Sequence, residues 1–355
     1  MTSNPLPWSS SRLEGCTLSG ALAVTTEVTD GLSIVHGPAG CSQHNASLLH
    51  ATLLGEDTPH LLRILSSDLD EAGVIFGGEG ALAAALGEAA SRGPSAIFVL
   101  STCVVQTIGD DVEAVCGRGW GVPVIPVPGS GFLGGGFPDG MRNALVAIGE
   151  RAGERAGRAE GEGKRGREGG ITLIGEKNLE ADVEENLDEV SRLLALLGER
   201  PGLRFIRGTP WGSLRGLTGG RLNILREPDL RPVGEVFTAR FGTPFLDSFP
   251  VGLSGSLRFL REAAHLLGTD PAEALREERG RQEEALARFD DLRGERIRFS
   301  PGPGSGTGPF TRELASSLGL VPGEDGITLP LPTPLPVGTA GLVRLLHRWR
   351  RVLHA

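Results

Sequence analysis

Short apolar segments alternate with helical segments through the first 150 residues. Four of the short segments are bounded by Gly, Pro or polar residues, as buried parallel strands are: Ser33–Val35, Gly73–Phe76, Ala96–Leu100 and Val122–Val127. Between two of them, Ala81–Ala90 has a helical pattern that ends at Arg92-Gly93-Pro94. This alternation of strand and helix predicts a doubly wound α/β sheet.

Residues 151–170 have a different composition, since RAGERAGRAEGEGKRGREGG is rich in glycine and charge and has no apolar face. Such a segment cannot bury enough surface to fold alone. We therefore predict a flexible linker or exposed insertion between two domains.

A second α/β pattern begins after this segment. Its predicted strands are Ile171–Ile174, Leu203–Ile206 and Leu222–Leu225, with Gly242–Phe245 leading towards one more. The charged stretch Asp270–Arg296 is predicted to be an exposed helix, and Ile297–Ser300 a last strand. The C-terminus is predicted to be an amphipathic helix through Leu342, Leu345, Leu346, Trp349 and Leu353.

Together these patterns predict an α/β protein of repeated Rossmann-like, doubly wound parallel-sheet domains, the third of them shortened. The predicted boundaries are 1–150, a linker at 151–170, 171–268 and 269–355. The third region is too short for a complete Rossmann-like unit.

The composition excludes several classes of function. A net charge of −9 and a pI near 5.4 argue against a general nucleic-acid binder. No apolar run reaches the roughly 18 residues that a membrane span needs. The N-terminal residues have no apolar core like that of a secretory signal, so we expect a cytoplasmic protein. Nor is there a P-loop, an H-E-x-x-H element or a Ser-His-Asp arrangement, so any ATP-using chemistry is expected in a partner.

Four cysteines are the main chemical signal. Disulfides are unexpected in the cytoplasm, which leaves metal binding, catalysis or burial. Cys16 and Cys41 adjoin Gly, and Cys41 and Cys103 each follow a predicted strand directly, where ligand sites of open α/β sheets lie. Iron–sulfur clusters usually take four thiolates, so three in one chain would need a partner's contribution. The alternative is plain packing, which we prefer for Cys116.

The segments around three of these cysteines resemble the nitrogenase component 1 family. The matching elements are Cys16 near the N-terminus, His36-Gly37-Pro38-Ala39-Gly40-Cys41, and Ser101-Thr102-Cys103 running into Ile108-Gly109-Asp110-Asp111. Further matches are Phe76-Gly77-Gly78-Glu79, Gly129–Gly134, Leu222-Asn223-Ile224 and Gly242–Phe245. The resemblance covers most of residues 14–265 and returns in the helix that follows Pro336.

The resemblance implies that Cys16, Cys41 and Cys103 ligate a [4Fe–4S] cluster, or half of an eight-iron P-cluster, shared with a partner subunit. That partner would be a homologous α-type subunit or a second copy of the chain. Electrons would come from an ATP-hydrolysing iron protein. Some family members add a serine ligand near the position of Ser130, which is not assigned here.

The resemblance also raises questions about other polar residues of these segments. Asp110 and Asp111 would set the local potential or the docking surface, or else cap a helix. His36 is expected to order its loop through hydrogen bonds. His44 and His50 would approach a cluster or substrate, or simply lie at the surface.

Two departures from the family pattern shape the functional prediction. No cysteine follows Cys116, so the ligand that holds the catalytic metal cofactor in α subunits is missing, and the third domain is reduced. We therefore predict a β-like electron-transfer subunit of a nitrogenase-like reductase, within that group a methylthio-alkane reductase that cleaves C–S bonds. The alternatives are a tetrapyrrole reductase of the Ni-sirohydrochlorin a,c-diamide reductive cyclase or protochlorophyllide reductase type, and a non-catalytic scaffold for cofactor assembly.

Overall fold

Strands and helices alternate along the chain in a computed structural model that describes residues 15–55, 62–132, 135–159, 170–176, 182–299, 307–332 and 334–354. The helices are α1 Thr17–Thr25, α2 Ala39–Gly55, α3 Glu71–Phe76, α4 Glu79–Ser91, α5 Cys103–Ile108, α6 Val112–Cys116, α7 Phe137–Ala159, α8 Val183–Ala195, α9 Arg231–Phe241, α10 Gly252–Leu267, α11 Ala272–Ala287, α12 Thr307–Leu318 and α13 Gly338–Leu353. The strands are β1 Gly31–His36, β2 Ile64–Ser66, β3 Ala96–Ser101, β4 Val124–Pro128, β5 Ile171–Ile174, β6 Pro201–Phe205, β7 Leu222–Leu225, β8 Phe245–Leu246, β9 Arg296–Phe299, β10 Val321–Pro322 and β11 Ile327–Leu329. Short 3-10 helices cover Trp211–Gly219, Pro228–Leu230 and Asp290–Leu292.

The described residues form two compact units. The cysteine unit lies within residues 11–179 and 202–245, and the C-terminal unit within 180–201 and 246–355. These units divide the chain differently from the predicted boundaries, because α8 groups with the C-terminal helices rather than with β5, and β6 and β7 group with the N-terminal residues. The four-part division stays a prediction.

The cysteine unit contains two four-stranded sheets. The first has the order β2-β1-β3-β4, and each adjacent pair is parallel. Its central strands β1 and β3 are almost wholly buried, which explains their continuous apolar sequences. The second sheet has the order β6-β5-β7-β8, with β5 and β7 parallel. The predicted α/β class with parallel sheets is confirmed.

One predicted strand is wrong. Gly73–Phe76 belongs to helix α3, which begins where the Asp70 carboxylate accepts a hydrogen bond from the Gly73 N–H at 2.8 Å. The apolar run misled the prediction because its side chains are exposed rather than buried: Ile75 is 73% and Phe76 86% exposed. The second strand, β2, is only three residues long and was missed.

The predicted linker is also wrong over its first nine residues, 151–159, because α7 continues to Ala159. Glycine was misread there as a sign of flexibility. A Cβ atom at Gly149 would overlap the Phe237 ring, and one at Gly153 would lie 2.5 Å from the Phe241 ring. These glycines therefore let α7 pack closely on α9. Residues 160–169 lie outside the described residues.

The C-terminal unit is built around a three-stranded parallel sheet of order β10-β9-β11. Strand β9 confirms the prediction at residues 297–300 except for Ser300, which lies outside the described residues, but β10 and β11 follow it. The predicted exposed helix over Asp270–Arg296 is wrong in two respects. Helix α11 ends at Ala287, and it buries Glu278 and Gln282 because these side chains bond to neighbouring elements.

No helix in the described part of the chain is both long enough and apolar enough to cross a membrane.

Candidate functional site

The first sheet has a topological switch point between β1 and β3. The chain leaves β1 towards β2 on one side, and β3 lies on the other side. In open α/β sheets a crevice forms at such a point, outside the carboxyl ends of the strands. Cys41 follows β1 and Cys103 follows β3, so both cysteines lie at this edge.

Each of the three predicted ligands stands at the beginning of a helix. Cys16 is the N-cap of α1, Cys41 lies in the first turn of α2, and Cys103 is the first residue of α5. Unpaired N–H groups and the helix dipole favour negative charge at these ends. All three thiols therefore lie at helix N-termini, and metal ligation requires their thiolate form.

The three thiols are close enough to influence one another. Burial raises the pKa of the Cys41 thiol, and the charges of Cys16 and Cys103 raise it further. Cys16 is exposed, and Cys41 and Cys103 are half-buried. Three thiolates gathered at the surface repel each other, so a cationic group is needed to stabilise them together.

Glycine allows the loops around the cysteines to meet. A Cβ atom at Gly37 would overlap the Thr102 hydroxyl, so the loop after β1 lies directly against the end of β3. A Cβ atom at Gly129 would lie 2.7 Å from the Ser101 carbonyl oxygen, and one at Gly131 2.6 Å from Thr17 Oγ1. The loop after β4 therefore lies against the residues adjoining Cys16 and Cys103.

His36 connects three of these loops, as the sequence predicted. It is fully buried, with Nδ1 2.8 Å from Ser67 Oγ and Nε2 3.1 Å from the Asp110 carboxylate. Since a carboxylate only accepts, Nε2 carries the proton, and Nδ1 accepts from the Ser67 hydroxyl. Ser67 accepts in turn from the Gly37 N–H at 3.0 Å.

The segment Ile108–Asp111 is hydrogen-bonded to the segment Phe76–Glu79. Asp110 accepts from the Gly78 N–H at 2.9 and 3.1 Å. Asp111 donates its N–H to Glu79 at 3.2 Å, and its carboxylate caps α6 by accepting from Ala114. The cap interpretation is confirmed for Asp111, whereas Asp110 orders the loops that flank the cysteines.

The residues at this edge fit an iron–sulfur cluster. The donor set consists of thiols, and three hydroxyl oxygens around it are buried without a partner among the described residues: Thr17 Oγ1, Thr102 Oγ1 and Ser130 Oγ. No three His, Cys, Asp or Glu side chains in the described ranges gather tightly enough for a single ion. A multi-iron cluster differs, because each thiolate ligates its own iron.

The remaining cysteine is buried, and the two histidines of α2 are exposed. Cys116 is buried in an apolar cluster, and burial raises its pKa to about 12, with a further contribution from Glu113. It is inert and structural, as predicted. His44 and His50 lie on α2 with exposed side chains, which agrees with the surface interpretation.

Exposed apolar side chains flank the cysteines. Ile75 and Phe76 are on α3, which packs on α5, the helix that begins with Cys103. Phe132, 74% exposed, follows Ser130 in the loop after β4. We call these three residues the apolar rim. This surface could not be predicted from the sequence, because the apolar run that contains Ile75 and Phe76 is typical of a buried strand.

Comparison with known proteins identifies the family. A family model described as nitrogenase component 1 type oxidoreductase matches residues 16–308. Similar curated proteins are nitrogenase iron-molybdenum cofactor biosynthesis proteins NifE, from Clostridium pasteurianum (29% identical over 260 residues, 72% of this chain and 54% of that protein) and Nostoc (31% over 282 residues, 77% and 55%). The chain spans about half the length of these curated relatives.

The fold agrees with this assignment. The structure titled "Nitrogenase Cp1 at pH 6.5" aligns with a TM-score of 0.65 at 23% identity, over 91% of this chain and 62% of that one. A second structure, of the same nitrogenase at pH 5, has a TM-score of 0.66 at 21% identity, over 97% and 72%. At these identities the likeness shows the fold alone, and it confirms the predicted Rossmann-like architecture. The chain therefore belongs to the family of nitrogenase component 1 type oxidoreductases.

Proposed function

We propose that this chain is the cluster-holding, electron-transfer subunit of a nitrogenase-like complex, with Cys16, Cys41 and Cys103 as the ligands. The observation that carries the proposal is the convergence of these three cysteines at one switch point, where the charges of two act on the third. A bound iron–sulfur cluster, [4Fe–4S] or of the eight-iron type, supplies reversible one-electron chemistry.

The residues of this chain would hold and shield the group. The hydrogen bonds of His36 with Ser67 and Asp110 keep the loops after β1 and β2 in place. Gly37 and Gly131 leave room for close backbone approach.

A partner subunit would complete the site. Three thiolates are one fewer than a four-iron cluster usually takes, and the exposed Cys16 and the apolar rim provide a surface that a partner can cover. A homologous α-type subunit or a second copy would fill this role. An ATP-hydrolysing iron protein would supply electrons to the pair.

Iron content tests the ligand set. The protein is purified without oxygen, alone and with any subunit encoded beside it. Iron, acid-labile sulfide and the EPR spectrum of the reduced protein are measured. We expect Cys16→Ala, Cys41→Ala and Cys103→Ala each to lose the cluster, and Cys116→Ala to retain it. Wild-type protein without iron in both preparations would refute the proposal.

A second candidate function is that of a scaffold for cofactor assembly. It is favoured by the curated relatives, which are cofactor biosynthesis proteins, and by the absence of any cysteine after Cys116. A scaffold would transfer radiolabelled iron from its loaded form to an apo-enzyme. An electron-transfer subunit would instead support turnover with iron protein and ATP.

The proposed function extends to a substrate class. Within the electron-transfer role we propose reductive C–S cleavage of methylthio-alkanes. The reconstituted complex is given a small methylthio-alkane and, separately, a tetrapyrrole. Release of methanethiol only from the first supports the proposed reaction, and reduction of the tetrapyrrole alone replaces it with the alternative reductase.

A further inference from the structure

Two buried threonine hydroxyls beside the cysteines lack the kind of partner that many Ser and Thr hydroxyls of this protein have. Several of those hydroxyls donate to a backbone carbonyl oxygen three or four residues earlier, as Thr26 does to Leu22 at 2.7 Å and Ser256 to Gly252 at 2.7 Å. Thr17 and Thr102 are 1% and 3% exposed, and neither hydroxyl has a partner among the described residues.

Thr102 is the clearer case because it occupies an N-cap position. An N-cap threonine normally accepts a hydrogen bond from a backbone N–H in the first turn. Thr102 precedes α5 as its N-cap, yet its side chain makes no capping bond. Its hydroxyl instead points at Gly37, in the gap between the ends of β1 and β3.

Thr17 is the second such residue. It follows Cys16 directly, and its hydroxyl faces the loop after β4, within 2.6 Å of a Cβ position at Gly131 and 3.2 Å of one at Gly135. Each threonine is thus the sequence neighbour of a proposed ligand. A buried hydroxyl without a hydrogen-bond partner destabilises the fold, so a donor left free at both positions indicates a bound acceptor.

We propose that Thr17 and Thr102 are positioning residues whose hydroxyls donate hydrogen bonds to the sulfur atoms of the bound cluster and raise its reduction potential. The inference rests on the proposed function. Reduction adds one electron to the cluster, and a donor aimed at sulfur stabilises the added negative charge. Removal of the donor should therefore shift the potential in the negative direction.

The test compares Thr17→Val, Thr102→Val and the double variant with wild type by reductive titration followed by EPR. Valine keeps the shape and removes the hydroxyl. We expect unchanged iron content and a more negative potential in each single variant, with a larger shift in the double variant. Thr26→Val is the control, because its hydroxyl bonds to Leu22 at the other end of α1 and its loss should leave the potential unchanged.

Serine variants and isotope exchange separate a donor from a packing role. Thr17→Ser and Thr102→Ser keep the hydroxyl and should restore the wild-type potential, including where a valine variant loses its cluster. In resonance Raman spectra, exchange into D₂O should shift Fe–S modes of wild type but not those of the double valine variant. Serine variants that behave like the valine variants would overturn the inference.

The outcome also separates this inference from the proposed function. Wild type that carries iron, with equal potentials in wild type and all valine variants, refutes the hydrogen bonds and leaves the ligand assignment intact. Wild type without iron refutes both.

Discussion

At the residue scale, the folded state depends on the neutral form of the buried His36 side chain. Burial lowers the pKa of His36 from the ordinary value of 6.5. The charge of Asp110 and its hydrogen bond raise the pKa, but burial has the larger effect. Its Nδ1 accepts from the Ser67 hydroxyl, and a fully buried imidazolium would lose the solvation that it has in the unfolded chain. Protonation of His36 therefore opposes the folded state.

The sign of the pH dependence follows from that lowered pKa. The unfolded chain binds the proton more readily, so the stability that His36 contributes is present above about pH 6.5 and is lost as the pH falls towards the folded pKa. We expect urea unfolding to show a steeper loss of stability below that pH in wild type than in His36→Gln. Equal slopes in the two proteins would contradict the prediction.

The cysteines and the threonines differ in how far the sequence could reveal them. Cys41 and Cys103 could be predicted because each follows a strand directly, and a chemically rare residue at that place is informative. Thr17 and Thr102 adjoin cysteines, but threonine is common, and no sequence signal tells a free hydroxyl from a bonded one. Only the packing of Gly37 and Gly131 against them shows which way they point.

At the element scale, helices α1 and α7 pack with their backbones in contact. A Cβ atom at Gly140 would overlap the Thr17 carbonyl group, and one at Gly20 would overlap the Phe137 carbonyl group. Both glycines are buried within their helices. Because α1 begins at Cys16, this close crossing fixes the position of one proposed ligand.

A methyl group at this crossing should be costly. We expect Gly140→Ala to destabilise the protein by about 1–3 kcal/mol, since the two helices must separate to accept it. Gly87→Ala in α4 is the matched control, because Gly87 is exposed and has no atom within 4 Å of the Cβ position. The control should be neutral or stabilising by up to about 1 kcal/mol. Thermal unfolding of both variants measures the difference, and equal midpoints would contradict the prediction.

At the scale of the whole molecule, the C-terminal unit combines an apolar core with buried ion pairs. The C-terminal unit packs an apolar cluster around Phe289, Leu314 and Trp349, and it also buries charge. Arg192 donates to Glu189 at 2.9 Å and to Glu278 at 2.7 Å. These residues join α8 to α11.

Helix α13 donates hydrogen bonds to the same two carboxylates. Glu278 accepts from the Thr339 hydroxyl at 2.6 Å, and Glu189 accepts from the Ala340 N–H at 3.1 Å. Burial opposes ionisation of Glu189, but the bonds with Arg192 and Ala340 outweigh burial and hold its pKa below the ordinary value. Arg192 thus bonds to two buried carboxylates in a network that spans three helices, and the charge of Arg281 also lowers the pKa of Glu189.

Removal of that arginine should destabilise the C-terminal unit strongly. Arg192→Met leaves Glu189 and Glu278 buried without their cation, and we expect a loss of about 3–5 kcal/mol in the free energy of unfolding. Arg296→Ala removes an exposed pair with Asp325 and should cost less than about 1 kcal/mol. Chemical denaturation followed by circular dichroism compares the two. A loss no larger for Arg192→Met than for Arg296→Ala would show that the buried network contributes little.

The sequence by itself determined the α/β class, most strands and the three candidate ligands. The class and the strands follow from local signals, such as the apolar runs that become β1 and β3. Cys41 and Cys103 stand out because each follows a predicted strand, and the family resemblance adds Cys16. The tertiary structure decided the rest. It showed that Ile75 and Phe76 are apolar yet exposed, and that Gly149 and Gly153 allow packing of α7 rather than flexibility. It also grouped α8 with the C-terminal helices. Each of these depends on what lies across from a residue in space, which composition and periodicity along the chain do not encode.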